Sequence, residues 1–270
     1  MPEGLQTALA AVINALFLLA GIYIYLALAR QIGARQPRAD AMPERTFGWP
    51  EALVAVVLGT LFALNAAAAT QQGTRLVLNT NDLVFNALIS AGLFVFIVAF
   101  LTIRGLNVNS LGGFMKLSIV RAIATGAILL FFAYPLIFVA DLVTQRVLGG
   151  AASKQGIVEL FNNSATFEQR VLIIVLAIAI APVVEEFVFR FFLYGVLRRY
   201  FGRFAGLAAN AALFAAVHAH APSVAPLFVL GSCFTLAYEW SGSILVPMTM
   251  HALFNSLTLV ALAFPDLLPQ

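Results

Sequence analysis

The sequence predicts an all-α fold: a polytopic transmembrane helical bundle of about eight spans. Three observations carry that expectation. Of the 270 residues, 62% are hydrophobic and 10% are charged, whereas a soluble globular domain carries roughly a quarter charged residues. Twelve acidic and fifteen basic side chains are too few to coat a soluble fold of this size. The apolar residues also fall in runs close to the roughly 20 that a helix needs to cross a bilayer.

Taken in order, the runs are 8–29, 52–70, 83–103, 118–142, 171–197, 204–220, 224–238 and 243–264. The first follows a segment that contains Glu3 and no Lys or Arg. A cleaved signal has a basic start and a shorter apolar core, so this run reads as a span. The uncharged stretch from Phe204 to Tyr238 exceeds one helix. Pro222, within Ala221-Pro222-Ser223, divides it into two short pieces, one of which is expected to be tilted, re-entrant or broken. Two polar connections stand out, 30–51 with Pro37, Pro43 and Pro50, and 144–170. Within the second, Ser153 to Asn163 carries Ile157, Leu160 and Phe161 and fits either a short interfacial helix or a solvated loop. No internal repeat divides the chain. The natural division is 1–150, a set of N-terminal transmembrane helices, and 151–270, a helical core that holds the unusual polar residues.

The net charge of +3 matters less than its placement. Basic residues sit in connections, with no concentrated run or interleaved aromatics, so a nucleic-acid partner is not expected. If the N-terminus lies outside, the inner loops and their flanks hold Arg30, Arg35, Arg38, Arg45, Arg104, Lys116, Arg121, Arg198, Arg199 and Arg203. The outer ones hold Arg75, Arg146, Lys154 and Arg170. That excess predicts a multi-pass protein of the plasma (inner) membrane with basic loops in the cytoplasm and both termini outside. The single cysteine, Cys233, excludes an intrachain disulfide and reads as a small buried hydrophobe.

Charges inside a span are costly and point to function. The fifth run contains Ala181-Pro182-Val183-Val184-Glu185-Glu186-Phe187-Val188-Phe189-Arg190. Glu186 and Arg190, four apart, can pair on one helical face and read as structural support. Glu185 points about 100° away, without that partner. Such a carboxylate can exchange a proton with a neighbour, as a general base or acid must. Pro182 leaves the Ile178 carbonyl without its usual helical donor.

The three histidines are His218, His220 and His251. His218 ends the sixth run, and His251 and Asn255 share a face of the eighth, four residues apart. Depth arithmetic brings these groups together. Glu185 lies about 18 Å from the inner end of its span, His218 about 21 Å, Asn255 about 18 Å and His251 about 12 Å. His220 falls on a different face from His218 and reads as interfacial. Glu239, between Tyr238 and Trp240, reads as part of a membrane-surface girdle. Asn65 and Asn86 can bond across helices.

The same residues resemble the motifs of a known family. Glu185-Glu186-Phe187-Val188-Phe189-Arg190 is similar to the EExxxR motif of the CPBP or Abi intramembrane proteases, the type II CAAX prenyl protease family. Phe214 to His218 resembles its FxxxH motif, and His251 to Asn255 its HxxxN motif. They occur in the expected order, and the resemblance covers about 171–262. The family commonly has glycine after the arginine, where this chain has Phe191. The resemblance implies that 151–270 is a CAAX-protease-like core that hydrolyses a peptide bond inside the membrane. Glu185 and His218 would activate a water, and His251 with Asn255 would stabilise the oxyanion, consistent with the value of preorganised donors in a dry cavity. Glu186 and Arg190 would hold the helix and orient their neighbours. The implied partners are the lipid bilayer and a membrane-embedded or lipidated protein, which the family relation extends to a prenylated CAAX substrate. The water must reach the site, so a polar cavity open to the cytoplasmic side is expected.

Two histidines and a carboxylate are enough for Zn2+, but the His-x-x-x-His pairing of soluble zincins is missing. No cofactor is therefore expected, with Zn2+ as the alternative. A second functional class, a non-enzymatic immunity or scaffold protein or a proton-coupled transporter, would use intramembrane Glu and His as a relay. A transporter should show paired half-repeats, which this sequence lacks.

Overall fold

The computed structural model describes residues 3–35, 47–72, 80–147, 161, 164 and 166–264. Apart from Phe161, the segment 153–163 lies outside the described residues, as do Arg38, Arg45, Arg75 and Lys154. Every regular element among the described residues is helical: α1 (Glu3–Ala34), α2 (Trp49–Gln72), α3 (Thr80–Ile103), α4 (Val108–Gly112), α5 (Ile119–Val147), α6 (Phe167–Phe201), α7 (Arg203–Val217), α8 (Val224–Ser241) and α9 (Leu245–Ala263). All but α4 and α7 are long and apolar enough to cross a membrane, giving seven such helices among the described residues.

The expected span missing from that set is the sixth run, which forms α7, and it is short. Its 15 residues extend about 22 Å, against a hydrocarbon core of about 30 Å. It stops at His218, after which Ala219 takes a left-handed φ of 49°. A single 3-10 turn, Ala221–Ser223, then delivers the chain to α8. The break falls at the Ala-Pro-Ser expected from sequence, and His220 braces it through Nδ1 and the Ser223 hydroxyl, 2.7 Å apart.

Polar contacts gather one set of helix ends. Arg35 donates to the carbonyls of Glu239 and Trp240 at 3.1 and 2.8 Å. Arg203 donates to those of Ile32 and Arg35. Arg104 Nε donates to Glu51 at 3.0 Å, and the Ile244 N–H donates to the Gly112 carbonyl. The ends of α1, α3, α6 and α8 therefore meet the starts of α2, α5, α7 and α9 at what we term the basic end. Glu239 there is not part of a surface girdle. It is buried, and its carboxylate accepts from Tyr194, from Arg198 at 2.8 Å and faces Arg203 Nε at 3.6 Å. Two guanidiniums and a hydroxyl compensate its loss of water.

At the centre runs α6, packed against α2, α3, α7, α8 and α9. Every residue from Phe187 to Leu193 is buried. Phe47 meets Phe191 and Phe192 edge-on, Phe62 stacks on Phe189, and the Phe94 and Phe187 rings lie 4.5 Å apart. Lipid supplies no hydrophobic push between helices, so this close packing must hold the bundle. Gly126 shows how tight it is: a Cβ there would lie 2.9 Å from Thr249 Cβ, so only glycine lets α5 approach α9. By contrast, among the described residues α2 and α3 do not pack closely on each other. Asn65 and Asn86 are exposed. A cross-helix hydrogen bond from an asparagine is made by Asn210 of α7, which donates to Thr235 of α8 at 3.3 Å.

Candidate active site

The polar residues of α6 sit where its hydrogen bonding changes register. Ala181 donates its N–H to Leu176, five residues back. Tyr194 does the same to Phe189. Such π-turns are rare and concentrate at functional sites. In the five-back register the Ala177 carbonyl meets position 182, and Pro182 has no N–H to give. Asn255 of α9 supplies the missing donor, with Nδ2 2.8 Å from the Ala177 oxygen. The carbonyl that needs outside help is therefore that of Ala177, one residue earlier than the Ile178 carbonyl expected from a regular α-helix.

One turn further on, Glu186 and Arg190 make the expected pair, with Arg190 Nη1 donating to Glu186 Oε1 at 3.0 Å. Both are fully buried. The same oxygen contacts His251 Nδ1 at 2.9 Å. Since Arg190 can only donate, Glu186 is the carboxylate acceptor of both, and His251 Nδ1 carries the hydrogen. Arg190 Nε and Nη2 have no hydrogen-bond partner among the described residues. They are compensated by rings: the guanidinium lies 4.1 Å from the Phe214 centroid and 5.1 Å from that of Phe234, within the range of a cation–π contact. Gly231 leaves room for this cage, since a Cβ there would sit 3.0 Å from Phe214 Cδ1 and 3.4 Å from Arg190 Nη2.

Glu185 lies off this pair, as the 100° rotation requires. Its side chain is 32% exposed, and Oε2 has no hydrogen-bond partner among the described residues. It is not isolated, however, because His251 Nε2 lies 3.9 Å from that oxygen. His251 thus spans the two neighbouring carboxylates, one on each ring nitrogen. His218 arrives from the C-terminus of α7. Its Nδ1 is 2.7 Å from the Phe214 carbonyl, four residues back in its own helix. A carbonyl only accepts, so Nδ1 holds the proton and the Nε2 lone pair of neutral His218 remains available.

Two cavities meet at this point. The first, about 250 Å3, is lined by Phe62 of α2, Ser90 and Leu93 of α3, Val184, Glu185, Val188 and Phe189 of α6, and Val217 and His218 of α7. The second, about 190 Å3, brings together Glu185, His218, His251 and Asn255 with Ala177, Ala181, Leu227 and Thr258. Glu185, His218, His251 and Asn255, predicted from three motifs on three helices, are therefore neighbours around one space. The cavity is largely apolar. It extends away from the basic end, because Ala177, Leu227 and Thr258 lie beyond Glu185, His218 and Asn255 along their helices. The cavity on the basic end, lined by Thr102, Asn107 and Asn109, stops at Phe94 and Phe187. A polar vestibule running from the basic end to Glu185 was expected; the Phe94–Phe187 pair stands in that path. Phe214, Phe234 and Gly231 had no assigned part in the sequence reading, although Phe214 begins the motif that ends at His218.

Among the described residues, no three His, Cys, Asp or Glu side chains are grouped so as to hold a metal ion. One His251 nitrogen is committed to Glu186, and Nδ1 of His218 to Phe214.

Residues 167–257 match the family model described as type II CAAX prenyl endopeptidase Rce1-like. The matched segment runs from the start of α6 into α9 and contains all of Glu185, Glu186, Arg190, His218, His251 and Asn255. The likeness read from three short motifs is thus found again over the whole stretch of chain that joins them. No curated protein and no solved structure matches the chain.

Proposed function

We propose that this multi-pass membrane protein, whose segment 167–257 is similar to the type II CAAX prenyl endopeptidases, is an intramembrane endopeptidase acting through a carboxylate- and histidine-activated water. The observation that carries the proposal is the meeting of Glu185 and His218, whose Nδ1 is committed to Phe214, around one cavity, with His251 Nε2 3.9 Å from Glu185.

A water between Glu185 and His218 Nε2 gives up a proton to one of them as its oxygen attacks the scissile carbonyl. The carbonyl oxygen becomes an oxyanion. Asn255, on one wall of the cavity, and the Nε2–H of His251 in its doubly protonated form are the donors we assign to it. The C–N bond then breaks, and the proton held by Glu185 or His218 passes to the leaving amine. Glu186 fixes the His251 ring, and Arg190 fixes Glu186. These steps use only the chain's own groups. The substrate we assign is a membrane-embedded or lipidated protein, with the basic end on the cytoplasmic side of the inner membrane.

The test compares membrane-protein termini by mass spectrometry in cells making the wild-type chain or Glu185→Ala. Termini that disappear with Glu185 are the expected result. An identical set of termini, with the variant folded and present at the same level, refutes hydrolysis. Loss of proton-coupled uptake in its place would mark the residues as a relay.

A further inference from the structure

Among the described residues, Glu185 and His218 alone are common to the linings of the two cavities. On one side stand Phe62, Leu93, Val188 and Phe189, and on the other Ala181, Leu227, Leu230 and Phe254. From this we infer that Glu185 and His218 form a partition between two apolar subsites, which receive the substrate side chains on opposite sides of the scissile bond. The inference rests on the hydrolytic reading and specifies its substrate: an extended segment with apolar side chains flanking the cleaved bond.

The reacting carbon must lie within reach of Glu185, His218 and His251 at once. Only the second cavity contains His251 and Asn255, so the carbonyl oxygen points into it. Chain on one side of the bond continues past them toward Leu227 and Thr258. Chain on the other side has space in the first cavity, over Leu93 and Phe62. That cavity lies between α2 and α3, which do not pack closely on each other among the described residues. Leu61, Leu64, Leu88 and Ile89 on the same two helices are highly exposed, as expected of a surface solvated by lipid tails. An apolar segment therefore reaches Glu185 from the bilayer without passing the Phe94–Phe187 pair. Both linings are rich in aliphatic and aromatic side chains, and their titratable groups are Glu185, His218 and His251. The side chains next to the bond are accordingly large and uncharged.

The experiment uses the full chain in membranes. Cleavage sites that depend on Glu185 are collected for the wild type, for Leu93→Trp, which fills the first subsite, and for Leu227→Trp, which fills the second. Phe62→Ala and Leu227→Ala enlarge the same spaces and serve if a filled variant does not fold. Filling one subsite is expected to depress large residues about tenfold on one side of the bond only. Filling the other does so on the opposite side, and each enlargement reverses its own preference. Glu185-dependent sites that respond on the same side to both fillings, or to neither, overturn the subsite assignment while leaving hydrolysis intact. A set of termini that does not depend on Glu185 overturns both.

Discussion

His251 is the residue with the most constrained chemistry in the site. One nitrogen is committed to a carboxylate that also holds a buried guanidinium, and the other faces Glu185. Glu186→Gln keeps the shape of the side chain but leaves Arg190 without its counter-charge. Removing one partner of a buried pair costs about 3–5 kcal/mol, so this variant should melt well below the wild type in detergent, where Glu185→Gln melts close to it. The asymmetry distinguishes the two adjacent glutamates by a measurement that needs no substrate. Gly231→Ala tests the aromatic cage. The added methyl presses Phe214 and Arg190, with an expected loss of about 1–3 kcal/mol by thermal unfolding. Metal removal bears on the same groups. Activity is expected to survive exhaustive chelation, and loss that only stoichiometric Zn2+ restores would point to a metal-bound water.

The key element is α6, because it carries Glu185 and Glu186 on a regular helical stretch between its two changes of register. Pro182 and Asn255 act together in the first of them. Without Asn255 the Ala177 carbonyl is left unsatisfied, at a cost of about 1–3 kcal/mol. Asn255→Ala should lower the melting temperature, and Asn255→Asp should lower it further, since a carboxylate faces the carbonyl without a donor. Pro182→Ala restores an N–H opposite that carbonyl. Measured as a double-mutant cycle, the stability lost with Asn255→Ala should shrink in the Pro182→Ala background. Additive losses would separate the proline from the asparagine. The 171–197 span, expected from sequence to leave a carbonyl without a donor at Pro182, thus takes that donor from α9, 78 positions away in the chain.

Across the whole molecule, the basic end is a locked surface, and the site opens elsewhere. Glu239 joins α6, α7 and α8 through Tyr194, Arg198 and Arg203. Glu239→Ala is expected to destabilise the bundle by about 2 kcal/mol, because the two arginines remain partly hydrated and recover some of the loss. Both chain ends of the bundle lie opposite the basic end, since α1 runs toward it and α9 away from it. A fluorophore that matures only in the cytoplasm should stay dark on either terminus and light up when inserted beside Arg199. Bright termini would invert the topology.

The sequence by itself determined the class of fold, the break at Pro222 and the identity of the polar residues. Those follow from local quantities: the length of an apolar run, the missing N–H of a proline and the expense of a charge among aliphatic neighbours. Spacing alone also placed Glu186 with Arg190 and set Glu185 apart, because both relations lie within one helix. Tertiary structure decided what depends on helices meeting. It gave the Glu186 oxygen a second partner in His251, committed one Asn255 N–H to Ala177, turned Glu239 from a surface residue into a buried hub, and put Phe94 and Phe187 between the basic end and the cluster of Glu185, His218 and His251. Each of these is a contact between residues far apart in the chain. No periodicity encodes which ring or carbonyl will fill a given space, because packing chooses it after the helices have formed.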